Sequence, residues 1–190
     1  MAKGTFEFVK AALRRPWDVS TVFPTSRSLA ETMLSLANLE NAERVVELGS
    51  GTGAITKHLA PKLKNPANFV GVEMDATMVE FLRGEWPLLR FEAGLAESLP
   101  LWVQPNSVDV IVSSLPWTLF SEDTQSRTIK SIVQSLKPGG VFLTYICANA
   151  RLYPQANTFL RLLRKNFSNV HRNDLEWRNI PPAWVYRSTK

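Results

Sequence analysis

The stretch that most constrains this chain is residues 44–53, RVVELGSGTG, in which a short apolar run closes on an acid and three alternate glycines. Val45, Val46 and Leu48 have the β-branched and aliphatic character of a strand buried on both faces. Gly49, Gly51 and Gly53 let the backbone turn sharply and bring a ligand close to the main chain, and a helix is expected from Ala54 onward. Strand, glycine turn and helix start make a nucleotide-type site, in which amide N–H groups and the helix dipole face the ligand. The spacing is GxGxG and departs from the GxGxxG dinucleotide fingerprint; the shorter turn suits a ligand without a pyrophosphate. Glu73, 20 residues after Gly53, ends the next apolar run, where its carboxylate can accept from both ribose hydroxyls.

The remaining pattern alternates strands with helices. A box of Ser28 and Glu31 predicts a helix over residues 28–38 with Leu29, Met33 and Leu36 inward. Residues 69–73, FVGVE, read as a strand, and Asp75 caps a helix whose buried face is Met78, Val79, Phe81 and Leu82. Residues 88–91 form a short third strand, and 108–113, VDVIVS, a fourth that runs into SLPW at 114–117. Ser121 opens a helix with Ile129, Ile132, Val133 and Leu136 at i, i+3, i+4 and i+7. Pro138, Gly139 and Gly140 break it before a fifth strand at 141–147. A helix over 158–165 and strands at 169–174 and 184–188 complete the pattern. This predicts an α/β fold with an open, largely parallel sheet and its ligands at the carboxyl ends of the strands.

With 190 residues and 45% apolar content, one continuous core is expected. The single cysteine, Cys147, excludes a disulfide framework and a cysteine metal site and fits a reduced, cytosolic setting. No apolar run approaches the roughly 18 to 20 residues that span a bilayer, and no secretion signal opens the chain. Charge is unevenly placed: residues 1–30 sum to +3, 31–150 to −4 and 151–190 to +6. Basic ends around an acidic middle favour an anionic partner, nucleic acid or an acidic lipid surface, over scattered solvated cations. Residues 4–15, GTFEFVKAALRR, place Phe6, Val9 and Leu13 at helical spacing among basic side chains, so this helix either docks on the domain or lies in a lipid headgroup layer.

ELGSGTG, the acid at Glu73, SLPW after the fourth strand and LKPGG before the fifth together resemble the class I S-adenosylmethionine-dependent methyltransferases over about residues 45–147. The resemblance implies a Rossmann-like, mostly parallel seven-stranded sheet with helices on both faces. It implies S-adenosyl-L-methionine as cofactor and S-adenosyl-L-homocysteine as its product. Glu47 and the loop of Gly49, Gly51 and Gly53 would hold the methionine portion, Glu73 the ribose, and Met74 one face of adenine. Where many relatives carry a GDA-like tripeptide this chain has Gly94, Leu95 and Ala96; Leu95 offers no carboxylate to the adenine amino group, and Glu97 is a neighbouring candidate.

SLPW is similar to the NLPY-type motif of enzymes that methylate nitrogen. Ser113 or Ser114 and the Leu115 carbonyl would then accept amine protons, Trp117 would face a developing ammonium by cation–π attraction, and Tyr145 would line the acceptor pocket. The proline-stiffened alternative makes SLPW a loop with a core tryptophan. Over nearly the whole chain, the basic helix, VFPTSRSLAETM, these motifs and NIPPAWVY at 179–186 resemble the bacterial phospholipid N-methyltransferases that convert phosphatidylethanolamine to phosphatidylcholine. That likeness implies a membrane-docking and lid segment at 1–27, with Thr25 and Ser26 near the methionine carboxylate, before a catalytic domain at 28–190. It further implies an anionic membrane surface and a phospholipid as partners, no nucleic acid, and a peripheral place on the cytoplasmic face of the cell membrane.

Three other readings compete. An rRNA adenine-N6 methyltransferase shares the NLPY-like motif but is expected to carry an RNA-binding domain, whereas the residues after Cys147 are needed to finish the sheet. A catalytically idle lipid-binding module would have no need of the glycine loop, Glu73 and SLPW together, and a nicotinamide oxidoreductase is disfavoured by the glycine spacing. His58 and His171 read as structural or exposed side chains, and the tail cations, Arg151 and Arg178 among them, as lipid phosphate partners or solvated groups.

Overall fold

A computed structural model describes residues 25–190. The helix expected over 4–15, and all but the end of the segment expected to serve as a lid, lie outside the described residues. The chain runs α1 (Arg27–Ser35), β1 (Val45–Leu48), α2 (Thr56–Leu59), β2 (Val70–Glu73), α3 (Ala76–Glu85), β3 (Arg90–Ala93), β4 (Val108–Ser113), α4 (Glu122–Ser135), β5 (Leu136–Cys147), α5 (Pro154–Asn166), β6 (Asn169–Glu176) and β7 (Ala183–Thr189). Seven strands form one sheet in the order β3-β2-β1-β4-β5-β7-β6. The first five are parallel, while β7 runs antiparallel between β5 and β6.

The strand order reverses between β1 and β4. From β1 the chain steps outward through β2 to β3, then returns to pair β4 on the other side of β1. Right-handed crossovers in opposite directions send the connecting helices to opposite faces and open a crevice at the carboxyl ends of β1 and β4. Both faces are covered, so every residue of β1, β2 and β4 is buried, including Glu47, Glu73 and Ser113. That double coverage is why these strands read as near-continuous apolar runs. Asp109 pins the other end of the sheet: its Oδ2 accepts from the Glu43 and Arg44 amides at 3.2 and 2.9 Å, and Oδ1 is paired with Lys137.

Several boundaries differ from expectation for local reasons. α1 begins at Arg27, since Ser26 sits in extended backbone and its Oγ accepts from the Leu29 amide at 3.2 Å, while Glu31 pairs with Arg27. After the glycine turn only Thr56–Leu59 is α-helical. β3 is Arg90–Ala93, because register with β2 aligns Val70 with Arg90 and Glu73 with Ala93, which turns Phe91 inward and leaves Leu88 exposed. Phe81 is 47% exposed; Val79 and Leu82 alone form the buried face of α3. α4 stops at Ser135, before the Pro138-Gly139-Gly140 run expected to break it: Leu136, expected on the helix face, is already extended and opens β5, within which that run lies and where pairing with β4 shifts between Val108 and Val110. α5 starts at Pro154, a proline in the first turn where no amide partner is needed.

Candidate active site

The half of the site expected to hold the cofactor is built on the turn after β1. Gly49 and Gly53 have φ of +78° and +80°, a region that suits glycine, and Gly51 lies between them at +52°. A Cβ on Gly53 would stand 2.4 Å from the Trp86 ring, so the glycine also admits that indole. The turn is fixed by two bonds to β2 and its end: the Gly49 amide donates to the Val72 carbonyl at 2.8 Å, and the Gly51 amide to Glu73 Oε2 at 2.9 Å. The other Glu73 oxygen accepts from the Asp75 amide at 3.0 Å. Each carboxylate oxygen thus keeps lone-pair capacity beyond its one backbone partner.

Glu47 is fully buried beneath the turn. Its Oε2 accepts from Thr56 Oγ1 at 2.7 Å, and its Oε1 has no hydrogen-bond partner among the described residues. Burial, with the Glu73 charge adding to it, pushes the Glu47 carboxyl up to about 8. Such an orphaned oxygen marks a place for a polar ligand group. Of the residues expected to flank adenine, Met74 is half-buried and Leu95 is exposed just before a 3₁₀ turn at Ala96–Leu101. Glu97 is taken up by Arg127, whose Nε donates to its Oε2 at 2.9 Å, so this acid is committed to α4.

The half expected to hold the acceptor joins this one directly. Ser114 Oγ donates to the Gly49 carbonyl at 2.5 Å, and the Ser114 amide donates to the Leu48 carbonyl at 3.1 Å. A Cβ on Gly49 would stand 3.1 Å from Leu115 Cδ2, so the same glycine lets the SLPW segment close against the turn. Ser113 Oγ accepts from the Leu115 amide at 3.3 Å, and the Leu115 carbonyl accepts from the Trp117 amide at 2.9 Å. A shallow cleft opens here, lined by Ser114, Leu115, Pro116, Trp117, Thr118, Tyr145, Cys147 and neighbours, none of them charged. The Tyr145 hydroxyl lies 3.2 Å from Thr25 Oγ1, and burial pushes this phenol up to about 12. Burial likewise pushes the Cys147 thiol up to about 11.

Trp117 is placed otherwise than the cation–π expectation. Its side chain is 2% exposed, Nε1 donates to Thr144 Oγ1 at 2.8 Å, and the ring stacks on Phe159 with centroids 4.3 Å apart. Phe120 and Phe142 contact it edge-on, so its aromatic surface is spent on packing. Thr25 meets the phenol of Tyr145, and the Ser26 side chain caps α1, where the expectation had both beside the methionine carboxylate. Two buried residues that sequence reasoning gave no role hold the frame. Gln125 Nε2 donates to the Trp117 carbonyl at 2.7 Å and to the Gln155 carbonyl at 3.1 Å. Asn179 Oδ1 accepts from the Ser26 amide at 3.0 Å while its Nδ2 donates to the Pro181 carbonyl at 2.7 Å. The only sequence sign of Asn179 was its place at the head of NIPP.

Residues 45–140 match the family described as "Methyltransferase domain". An ornithine lipid N-methyltransferase of Singulisphaera acidiphila is 28% identical over 190 residues, covering 97% of this chain and 95% of that protein. The N-methyltransferase NodS of Bradyrhizobium japonicum superposes with a TM-score of 0.68 at 17% identity, covering 88% of this chain and 97% of that one. A phosphoethanolamine N-methyltransferase of Haemonchus contortus, solved with phosphomonomethylethanolamine and S-adenosylhomocysteine, superposes with a TM-score of 0.66 at 13% identity, covering 87% and 53%. With its mostly parallel seven-stranded sheet, glycine turn and acid after β2, the chain belongs to the methyltransferase-domain family and is a class I S-adenosylmethionine-dependent methyltransferase.

Proposed function

We propose that this enzyme methylates the amine of a membrane lipid headgroup, with phosphatidylethanolamine and its mono- and dimethylated forms as acceptors on the way to phosphatidylcholine. The observation that carries the reading is the uncharged cleft joined to the cofactor turn through Ser114 and Gly49. A lining without a carboxylate disfavours a buried ammonium, so the acceptor nitrogen is held in its neutral, nucleophilic form. An apolar wall of Leu115, Pro116, Ile146 and Ala150 suits the body of a lipid better than a nucleotide phosphate. The Singulisphaera relative, matched over nearly its full length and named for a lipid amine, supports the same acceptor class.

Bound S-adenosylmethionine supplies an electrophilic methyl group on a sulfonium and leaves as S-adenosylhomocysteine. The chain's own residues hold and aim the partners. The turn of Gly49, Gly51 and Gly53 and the Glu73 carboxylate would hold the cofactor's methionine and ribose portions, and Glu47 Oε1 would meet a donor group of the methionine end. Met74 and Leu95 would flank the adenine, with Thr25 and Ser26 closing the site from the lid side. Because the Ser114 hydroxyl proton is given to the Gly49 carbonyl, Ser114 Oγ turns lone pairs toward the cleft. It and the Leu115 carbonyl accept amine protons and leave the nitrogen lone pair to point at the methyl, and this positioning supplies most of the rate. Ser113 braces this segment through the Leu115 amide. Tyr145 and Cys147 are both protonated at neutral pH, so the proton lost from nitrogen leaves through the open mouth to water.

Among the described residues no helix is long and apolar enough to cross a membrane, and the proposed location is peripheral, on the cytoplasmic face. The test is incubation with labelled cofactor and vesicles of phosphatidylethanolamine or of ornithine lipid, with products read by mass spectrometry. Methylated phosphatidylethanolamine is expected; methylation of ornithine lipid alone moves the acceptor within the class, and methylation of RNA with neither lipid overturns the reading.

A further inference from the structure

Four of the large apolar side chains most exposed among the described residues gather at the mouth of the cleft. Leu152 is 87% exposed and Tyr153 45%, directly after the turn whose Ala150 lines the cleft; Trp177 is 74% and Ile180 77% exposed in the β6–β7 connection. The two segments are neighbours. Cys147 pairs with Ala183 and Ala183 with Glu176, which sets the end of β5, the start of β7 and the end of β6 at one level, and the Ala148 amide donates to the Pro182 carbonyl at 2.7 Å. Arg151 and the exposed Arg178 stand among these side chains in sequence. The nearby acid, Glu176, accepts from Thr32 Oγ1 and from the Arg178 amide.

We infer that this rim is a bilayer-docking surface, with Leu152, Tyr153, Trp177 and Ile180 seated in the headgroup and upper acyl region and Arg151 and Arg178 against lipid phosphates. The inference rests on the lipid reading of the cleft. Trp and Tyr are the side chains that favour a membrane–water interface, aliphatic tips gain by entering it, and arginines reach phosphate while their stems remain in apolar surroundings. Charge and position agree. The chain enters the described structure at Thr25, bonded to Tyr145, and Ser26 is bonded to Asn179 between Trp177 and Ile180. The described chain therefore begins at this same edge, and the sequence before it, residues 1–24, carries four basic and two acidic side chains. A surface seated there faces the cleft mouth to the bilayer, so a headgroup reaches Ser114 without the lipid leaving the membrane.

The test uses the full chain and vesicles of phosphatidylethanolamine with an anionic lipid, part of it carrying brominated acyl chains. Tryptophan emission of the parent is expected to be quenched on binding, with much of that quenching absent in Trp177→Phe. The double variant Trp177→Gln/Ile180→Gln is expected to need about tenfold more lipid for half-binding, including at high salt, because the lost contribution is apolar. Its turnover on a monomeric short-chain phosphatidylethanolamine stays at the parent level. Equal quenching in parent and Trp177→Phe, or unchanged vesicle binding by the double variant, overturns the rim. So does a concentration-dependent dimer that Trp177→Gln dissociates, or quenching by vesicles that first appears when residues 1–24 are deleted, since a second copy or that segment then covers the patch. The two proposals fail separately: vesicle binding that depends on the rim without lipid methylation removes the acceptor assignment, and lipid methylation without that dependence removes the rim.

Discussion

Glu47 makes the folded enzyme lose stability as pH rises, and Glu47→Gln is expected to remove that dependence. The carboxyl has an ordinary value of 4.5 and is pushed to about 8 by burial in the cofactor-free protein. Between these values the folded chain binds a proton at Glu47 that the unfolded chain has released. The stabilising contribution is therefore fully present below about pH 4.5 and is lost as pH rises toward 8, at about 1.4 kcal/mol per pH unit. At pH 7 the loss amounts to about 3 kcal/mol. Glutamine has nearly the same shape, its amide oxygen can accept from Thr56 Oγ1, and its NH₂ takes the place of the orphaned Oε1. An unpartnered buried amide costs about 1 to 3 kcal/mol, but so does the unpartnered acid, and the amide's cost does not change with pH. Urea denaturation at intervals from pH 5 to 8 measures the difference. Parent and variant should converge at the acid end and separate by about 3 kcal/mol near pH 7, the variant being the more stable. Parallel profiles across the range would refute the reasoning. The same variant should bind S-adenosylmethionine more weakly, because the oxygen proposed to meet the methionine end is replaced by a donor.

Three further outcomes test the joined halves of the site. Ser114→Ala is expected to lower kcat by about tenfold or more through lost positioning while cofactor Kd moves less than about threefold; an equal loss in Kd would assign the Gly49 bond to cofactor binding instead. Gly53→Ala should destabilise by about 2 to 5 kcal/mol, combining left-handed strain with overpacking against Trp86, whereas Gly51→Ala, with open space at its Cβ, should lose only the strain of about 1 to 2 kcal/mol. Equal losses in urea unfolding would argue against the indole contact. Trp117→Phe should cost about 1 to 3 kcal/mol by stranding Thr144 in the core, with cofactor affinity unchanged; an unaltered urea midpoint would contradict the packing role.

What could be read before folding follows the distance between partners along the chain. The cofactor half is local: Glu47 meets Thr56 nine residues on, and Gly51 meets Glu73 22 residues on, within one strand–turn–helix–strand unit. Local pattern states such a unit, since buried parallel strands are written as apolar runs and sharp turns as glycines. Phe81 misled because three of four apolar residues at helical spacing suggested a wider buried face than α3 has on its side of the sheet. The acceptor half depends on pairings that no window contains: Ser114 with Gly49 across 65 positions, Thr25 with Tyr145 across 120, and Ser26 with Asn179 across 153.

Trp117 shows the consequence of that difference. Its place after Leu115 and Pro116 identifies a motif, but the direction of the ring is set by Thr144 on β5 and Phe159 on α5, which were not readable as its neighbours. Once the indole is turned into the core, the motif gives the cleft its backbone, the Ser114 hydroxyl and the apolar edges of Leu115 and Pro116. Aromatic identity at position 117 is then expected to govern stability, and under the proposed function the acceptor meets walls shared by Leu115, Pro116, Tyr145, Ile146 and Ala150. Those walls are carried by the end of β5 and the turn after it, the same segment that presents Leu152 and Tyr153 at the cleft mouth. If the proposed lipid acceptor and docking rim hold, acceptor choice and approach to the bilayer are tied to one stretch of chain: changes at 145–153 should alter both together, while changes at 117 alter neither until the fold itself weakens.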